Sequence, residues 1–508
     1  MGSQLLATKS IDRLLAEAAD PARCLRRGLG PWSLTALGIG AIIGTGIFVL
    51  TGTAAAGTVL QFPSVLKAPL FLFLIHGGHT VGTAGRLGAG PAISLSFFLV
   101  AVACALAGLC YAELASMIPI AGSAYTYSYA TLGEIVAWII GWDLILEYAV
   151  SNMAVAVGFS AYIDMLLSGF GLKVPDSIAN PVFNDSLQRT GSYFNVPGFL
   201  IVMLLTVILV RGIRESARTN NIMVGVKIVA ILIFIFFASR YIHPENWKPF
   251  MPNGWSGVLT GGAIVFFTYI GFDSVSTCAE ETINPQKDVP FGIIASLVVC
   301  AILYCAVAIV LTGIQNWRTL DNAAPVASAL HAIGLLNVER WVTIGALTGM
   351  LSSLLVYQLG QARVWFSMSR DGLLPRVFSK VHPRFRTPHV STWIAGLVVA
   401  IPSGLFDIGT LSELSNIGTL FAFILVALGV LVLRYKQPQR RRGFRTPWVP
   451  ALPIAAILCC LILMASLPIE TWLRFLIWLV IGLGIYLGYS RFHSEFAKPA
   501  EAVVAAEL

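Results

Sequence analysis

Leu37-Gly-Ile-Gly-Ala-Ile-Ile-Gly-Thr-Gly-Ile47 sets four glycines, Gly38, Gly40, Gly44 and Gly46, inside an otherwise apolar run. Glycine continues a helix poorly, but it lets the chain unwind and lets backbone come close to a ligand. Small residues also pack helices tightly in membranes, and that reading explains Gly38 and Gly40 well. Gly44-Thr45-Gly46, where a hydroxyl joins two flexible positions, favours a break instead. A helix interrupted at mid-membrane presents free N–H groups at the start of one half and free C=O groups at the end of the other. Such a pair of ends suits a zwitterion, with its carboxylate at the N–H end and its ammonium at the carbonyl end.

The chain around this run is built for lipid. Of its 508 residues 57% are hydrophobic and 11% charged, with a mean hydropathy of +0.80, whereas soluble domains carry about a quarter charged residues. A soluble enzyme is excluded. Stretches of the ~20 apolar residues needed to cross a ~30 Å hydrocarbon core recur along the sequence. They predict an all-α integral membrane protein of about twelve spans, near 32–56, 91–117, 133–163, 196–213, 220–239, 256–279, 291–313, 340–368, 391–406, 410–434, 450–467 and 471–490. With the N-terminus in the cytoplasm, 23 of the 33 Lys and Arg fall in inside segments, 9 fall outside, and Lys227 lies within span 5. The positive-inside rule therefore places both termini in the cytoplasm. Residues 1–31 read as a cytoplasmic segment, 32–490 as the membrane domain of a multi-pass cell-membrane protein, and 491–508 as a cytoplasmic tail.

The net charge of +8 is better read as topology than as a nucleic-acid partner, since no aromatic-interleaved basic motif accompanies it. Its densest run, Arg434 to Arg445, suits anionic lipid head groups and simple topology anchoring equally well. Residues 57–87 break the pattern with Pro63, Pro69 and an apolar run too short to span, and read as an atypical external insertion. His76 and His79 within it lack carboxylate or thiolate partners, so a Gly-rich loop is the better reading and no metal or cofactor is expected.

Span 6 carries a counterpart to the first break. Phe266-Phe-Thr-Tyr-Ile-Gly-Phe-Asp273 combines Gly271, three phenylalanines and a carboxylate, and interrupted segments at matching places in two halves point to an inverted-repeat site. The aromatics alone would more often be packing. Charges inside spans narrow the field, because each costs about 2.5–3.5 kcal/mol at a helix centre and normally faces a cavity or a partner. Asp143 and Glu147, four apart in span 3, share a helical face, and for Asp143 capping or pairing near a helix end is an equal alternative. Lys227 sits about seven residues deep in span 5, roughly 10 Å along the axis; snorkelling remains the alternative to a functional role.

Leu37 to Phe48, Gly122 to Ala130, Gly141 to Tyr148, Phe266 to Glu281 with Asn284-Pro285, Ser369 to Pro375 and Phe444 to Pro450 occur in an order that resembles the bacterial-type cationic amino-acid transporter family of the amino acid, polyamine and organocation superfamily. The resemblance implies the LeuT fold: a 5+5 inverted repeat with broken helices 1 and 6, spans 11 and 12 peripheral, and alternating access around a mid-membrane site. It implies a substrate carboxylate at the backbone N–H groups of Thr45 and Gly46, and an α-ammonium at the carbonyls of Ile42, Phe267 and Ile270. Phe267 corresponds to an aromatic gate, Glu147 and Asp273 to pocket carboxylates, and Lys227 to the proton-coupling lysine that stands where sodium-coupled members hold an ion. The chain departs from the family at the insertion and at Tyr357, whose ring would narrow the pocket against long cationic side chains.

These readings together describe a secondary active amino-acid transporter, a proton-coupled importer of neutral or cationic L-amino acids. Its partners would be substrate, proton and membrane lipid, with room for a small accessory membrane protein. A non-transporting membrane amino-acid sensor is the alternative, and an extended soluble tail would have favoured it. A membrane enzyme would want catalytic groups clustered at one depth, while the seven histidines are scattered through loops and ends.

Overall fold

The computed structural model describes residues 5–12, 28–57, 64–65, 88–120, 122–184, 188–211, 217–385 and 387–494. Most of the 57–87 insertion and the tail beyond 494 lie outside them. Among the described residues the chain is helical: α1 (Pro31–Ile42), α2 (Thr51–Ala56), α3 (Ile93–Met117), α4 (Ser123–Thr131), α5 (Glu134–Ser168), α6 (Val196–Arg211), α7 (Ala217–Ala238), α8 (Gly254–Val265), α9 (Pro285–Ile314), α10 (Pro325–Ala332), α11 (Leu336–Arg370), α12 (His389–Leu405), α13 (Ile408–Lys436), α14 (Ala451–Ala465) and α15 (Ile469–Ile485).

Eight of these helical stretches are long and apolar enough to cross a membrane, and α1 with Gly46–Ala56, bent by 44°, makes one broken span more. The apolar helices α6, α12 and α14 are shorter, at 16, 17 and 15 residues. Every one of the twelve expected runs therefore has a helix or broken pair at its place, but nine reach spanning length. The sequence did not announce α4 and α10, which are only nine and eight residues long.

The two 35-residue helices, α5 and α11, pack along each other, and α13 lies against α5. On the other side α9 packs on α3 and α1, and α7 bridges α1 and α11. The two breaks meet between these groups. A Cβ on Gly46 would come 2.7 Å from the Cα of Thr268, so only glycine lets the first broken helix cross the second. Gly271 is required twice over, by a φ of +114° and by Ala41, whose Cβ would lie 2.9 Å from an added methyl.

Span 12 lies at the edge of the bundle, the least buried of the spanning helices, yet it is fastened to α5. Trp142 on α5 and Trp478 on α15 stack at 4.3 Å between ring centroids, and each indole N–H donates to the other residue's carbonyl, at 2.9 and 3.2 Å. Trp138 adds a third bond, to the Gly482 carbonyl at 2.9 Å. A buried indole needs such a partner, and here the need joins two helices far apart in sequence.

Both ends of the described chain lie on one face of the bundle. The Glu134 N–H donates to the Ala7 carbonyl, and Ser494 Oγ donates to the Glu134 carboxylate. The same face holds several ion pairs. Glu113 is buried and accepts from Arg434 at 2.9 and 2.8 Å, from Arg442 at 2.9 Å and from the Thr446 N–H at 2.7 Å. Arg440 pairs with Asp12 at 2.6 Å. Three arginines of the basic run are thus committed to carboxylates, while Lys436 and Arg441 remain exposed.

Candidate substrate site

Helix α1 ends because Ile43 leaves helical geometry, at φ −78° and ψ 90°. That frees the last carbonyls of the helix, which in a dry interior must find donors. Side chains from three other helices supply them. Lys227 on α7 donates from Nζ to the Gly40 carbonyl at 2.7 Å and to that of Ile43 at 2.9 Å. Ser353 on α11 stands 3.1 Å from the Gly40 carbonyl. Tyr304 on α9 reaches the Ile42 carbonyl at 2.9 Å.

Span 6 breaks in the same way. After α8 the chain tightens into a 3₁₀ turn over Phe266–Tyr269, becomes extended at Ile270 with ψ 140°, and resumes helix at Ser274. The Thr268 carbonyl accepts from Tyr304 at 3.0 Å, and that of Ile270 accepts from Tyr357 at 3.0 Å. Tyr304 therefore reaches both breaks, and Tyr357, 3.5 Å from the Ala41 carbonyl, leans across them as well. Each phenol has one proton to give, so two acceptors share it in either case.

The expected residues fall around this crossing. Ile42 and Ile270 present the carbonyls just described, and Phe267, buried, directs its own to the Ile270 N–H at 3.3 Å. Thr45 turns its side chain away, with its hydroxyl 3.4 Å from the Val155 carbonyl and its methyl against Gly158 of α5, so it can offer a ligand only backbone from this position. Gly46 lies against Thr268. Asp273 accepts from the Tyr148 hydroxyl at 2.9 Å through one oxygen, and its other oxygen has no hydrogen-bond partner. Glu147 is buried with one oxygen unpartnered. Lys227 is wholly buried and held by carbonyls; among the described residues no carboxylate lies within ion-pairing distance of it. That depth excludes snorkelling.

Asp143, one helical turn before Glu147, is buried with neither oxygen partnered, and its Oδ1 lies where a Cβ on Gly418 of α13 would come within 2.6 Å. It sits at the α5–α13 contact, away from the carbonyls of the two breaks. Three residues that shape the crossing were not singled out from sequence: Tyr304, Ser353 and Tyr148. A tyrosine or serine in an apolar run reads as packing, and only Tyr148, next to Glu147, adjoined a residue already marked.

What the crossing can do chemically follows from its donors and acceptors. It gathers backbone carbonyls from two helix ends, two buried carboxylates with spare acceptor capacity and one buried ammonium. Among the described residues no group of three or more His, Cys, Asp or Glu is assembled that could hold a metal ion.

The sequence model of the amino acid permease family matches residues 29–486. The methylthioribose transporter of Bacillus subtilis (strain 168) is 45% identical over 496 residues, covering 98% of this chain and 100% of its own. The branched-chain amino acid permease BcaP of the same organism is 47% identical over 498 residues, covering 97% of this chain and 99% of its own. The vacuolar cationic amino acid transporter 4 of Arabidopsis thaliana is 36% identical over 446 residues, 86% of this chain and 68% of its own.

Proposed function

Because this chain belongs to the amino acid permease family, and so is a membrane transporter of amino acids rather than an enzyme, we propose that it imports small and medium neutral L-amino acids together with a proton. The observation that carries the reading is the meeting of two helix breaks at Gly46 and Gly271, where freed backbone groups of both helices lie side by side in the buried interior. The substrate carboxylate binds the N–H groups at Thr45 and Gly46. Its ammonium takes the carbonyls of Ile42, Phe267 and Ile270, drawing away the hydroxyls of Tyr304 and Tyr357 that now occupy two of them. Glu147 and Asp273 face the side-chain end with Tyr357, and Lys227 carries the proton.

Neutral substrates are favoured over cationic ones on two grounds. The Tyr357 ring occupies the break that a long side chain would pass, and a 47% identical relative is named for branched-chain amino acids whereas the plant relative named for cationic ones is 36% identical. The 45% identical relative named for methylthioribose makes that uncharged compound the one competitor to include outside the amino acids.

Transport follows the LeuT scheme of 5+5 inverted repeats and twelve spans, with both termini cytoplasmic, residues 1–31 and 491–508 flanking the membrane domain and 57–87 outside. Alternating access requires no further machinery than two packings of the broken helices against α5 and α11. The test is uptake of labelled leucine and alanine into proteoliposomes with and without an inward proton gradient, with arginine and methylthioribose as competitors. Gradient-stimulated accumulation, blocked by neutral amino acids more strongly than by arginine, is the expected result. Saturable binding with no accumulation would instead make the protein a sensor, and displacement by methylthioribose alone would change the substrate.

A further inference from the structure

Asp273 has a single side-chain partner, and that partner is a phenol; the backbone N–H groups of Gly271, Asp273 and Ser274 stand around the same carboxylate. The Tyr148 hydroxyl donates to Oδ2 at 2.9 Å, Oδ1 has no hydrogen-bond partner, and the carboxylate is only 1% exposed. Tyr148 is itself fully buried, its ring close enough to Gly360 of α11 that an added Cβ would lie 3.5 Å from it. The Tyr148 and Tyr357 rings stand side by side, 6.3 Å between centroids. Tyr357 donates to the Ile270 carbonyl and Tyr148 to Asp273, so two phenols bracket the bend from 270 to 273. Glu147, next to Tyr148 in sequence, adds another buried oxygen without a donor.

A buried carboxylate without donors is costly, and a hydrogen bond to a charged group is worth more than one between neutral groups. Tyr148 therefore supplies from within the protein what a cationic substrate side chain would otherwise supply from outside. An uncharged side chain can enter while Asp273 keeps this donor. An ammonium or guanidinium must approach a carboxylate with one oxygen already engaged, in a space walled by two rings.

We propose that Tyr148 determines charge selectivity, its hydroxyl holding Asp273 so that the site takes amino acids with uncharged side chains and disfavours those with cationic ones. The proposal rests on the reading that substrate sits between the two helix breaks. It acts through Asp273, so Tyr148 is a positioning residue, and its removal alters the ratio between substrates rather than transport as a whole. In Tyr148→Phe the carboxylate has no side-chain donor left, only the backbone N–H groups of its own turn. A cationic side chain then replaces the lost donor, and a neutral one does not.

The experiment measures inhibition of labelled leucine uptake by arginine, lysine and alanine in proteoliposomes of the full chain, for wild type, Tyr148→Phe, and Tyr148→Phe combined with Asp273→Asn. The arginine-to-alanine ratio of inhibition constants falls at least tenfold in Tyr148→Phe, the size expected for a hydrogen bond to a charged group. The second substitution removes that gain, because the charge that arginine would pair with is gone. A ratio within twofold of wild type in Tyr148→Phe, or a gain that survives Asp273→Asn, overturns the proposal. Should Tyr148→Phe not reach the membrane, Tyr148→Leu also lacks the hydroxyl and is judged by the same ratio. A wild type that binds neither leucine nor arginine, by tryptophan fluorescence as well as by uptake, overturns the reading of the site itself and the proposal with it.

Discussion

The ammonium of Lys227 lies 2.7 Å from the carbonyl oxygen of Gly40, the acceptor freed where the first helix breaks. A second bond to Ile43 and the approach of Ser353 to the same Gly40 carbonyl make this a junction of α1, α7 and α11. While charged, the lysine ties the broken helix to its support. Once it loses its proton it keeps fewer donors and no charge, and the tie weakens. A bias of about 5.5 kcal/mol carries a two-state equilibrium from one side to the other, and loss of a charge-assisted pair of hydrogen bonds is of that order.

Lys227→Met keeps much of the volume and removes the group proposed to carry the proton. It should abolish stimulation of uptake by an inward proton gradient while leaving substrate binding and exchange measurable. Asp273→Asn is the rival substitution. If Lys227→Met still accumulates substrate against its gradient and Asp273→Asn does not, the coupling proton belongs to the carboxylate.

On the proposed reading Tyr357 limits substrate length, since its hydroxyl closes on the Ile270 carbonyl. Alanine should compete with labelled substrate at least as well as arginine does in the unmodified protein. Tyr357→Ser should shift preference toward longer side chains by about tenfold, the low end of what a single added methylene is worth in an apolar pocket. Inhibition constants across a series from alanine to arginine measure it, and an unchanged series would remove Tyr357 from the pocket wall.

Glu113 is the structural counterpart to these functional charges. Removing it leaves Arg442, whose side chain is 1% exposed, without its carboxylate, and an unpaired buried charge costs about 3–5 kcal/mol. Glu113→Ala should lower the melting midpoint of the detergent-solubilised protein well below that of Arg441→Ala, an exposed neighbour. Equal midpoints for the two variants would make the network superficial.

The breaks were legible in the sequence because their glycines are irreplaceable locally, and the two could be paired as counterparts, but not residue against residue. That Gly46 lies on Thr268 and Gly271 on Ala41 is a property of the packing, which no spacing announces. Lys227 was visible as a charge at depth, whereas its acceptors are backbone carbonyls, and these carry no side-chain signature. Tyr304 joins both breaks through one hydroxyl, yet in its own apolar run it looks like any aromatic filler. The basic run from Arg434 to Arg445 adds something its composition did not announce: it suits lipid head groups or topology anchoring equally, and the fold turns Arg434 and Arg442 inward because Glu113 waits there.

The face bearing the chain ends is fastened by buried bonds. Lys9 is 4% exposed and pairs with Asp371 at 2.8 Å, just beyond the end of α11, and its backbone N–H donates to the Tyr129 carbonyl. Tyr125 donates to the other Asp371 oxygen at 2.6 Å. Burial, with the Asp371 charge beside it, pushes the Tyr125 hydroxyl well above its ordinary range, so it stays a donor at any working pH. Residues 5–12 precede the broken helix in the chain, and through these bonds they are fastened to α4, to the start of α5 and to the end of α11. If that helix must swing away from α11 to open the site to the cytoplasm, the Lys9–Asp371 pair has to part. Its buried position makes the closed state sensitive to loss of one partner. Lys9→Ala should therefore raise the rate at which a membrane-impermeant thiol reagent, applied from the cytoplasmic side, labels a cysteine placed at Phe267 in a background lacking the native cysteines. The expected rise is about tenfold, reduced from the full cost of a broken pair because Tyr125 still holds Asp371. The exchanged pair, Lys9→Asp with Asp371→Lys, should restore slow labelling. Labelling that is indifferent to all three substitutions would mean that residues 5–12 rest on this face without closing it.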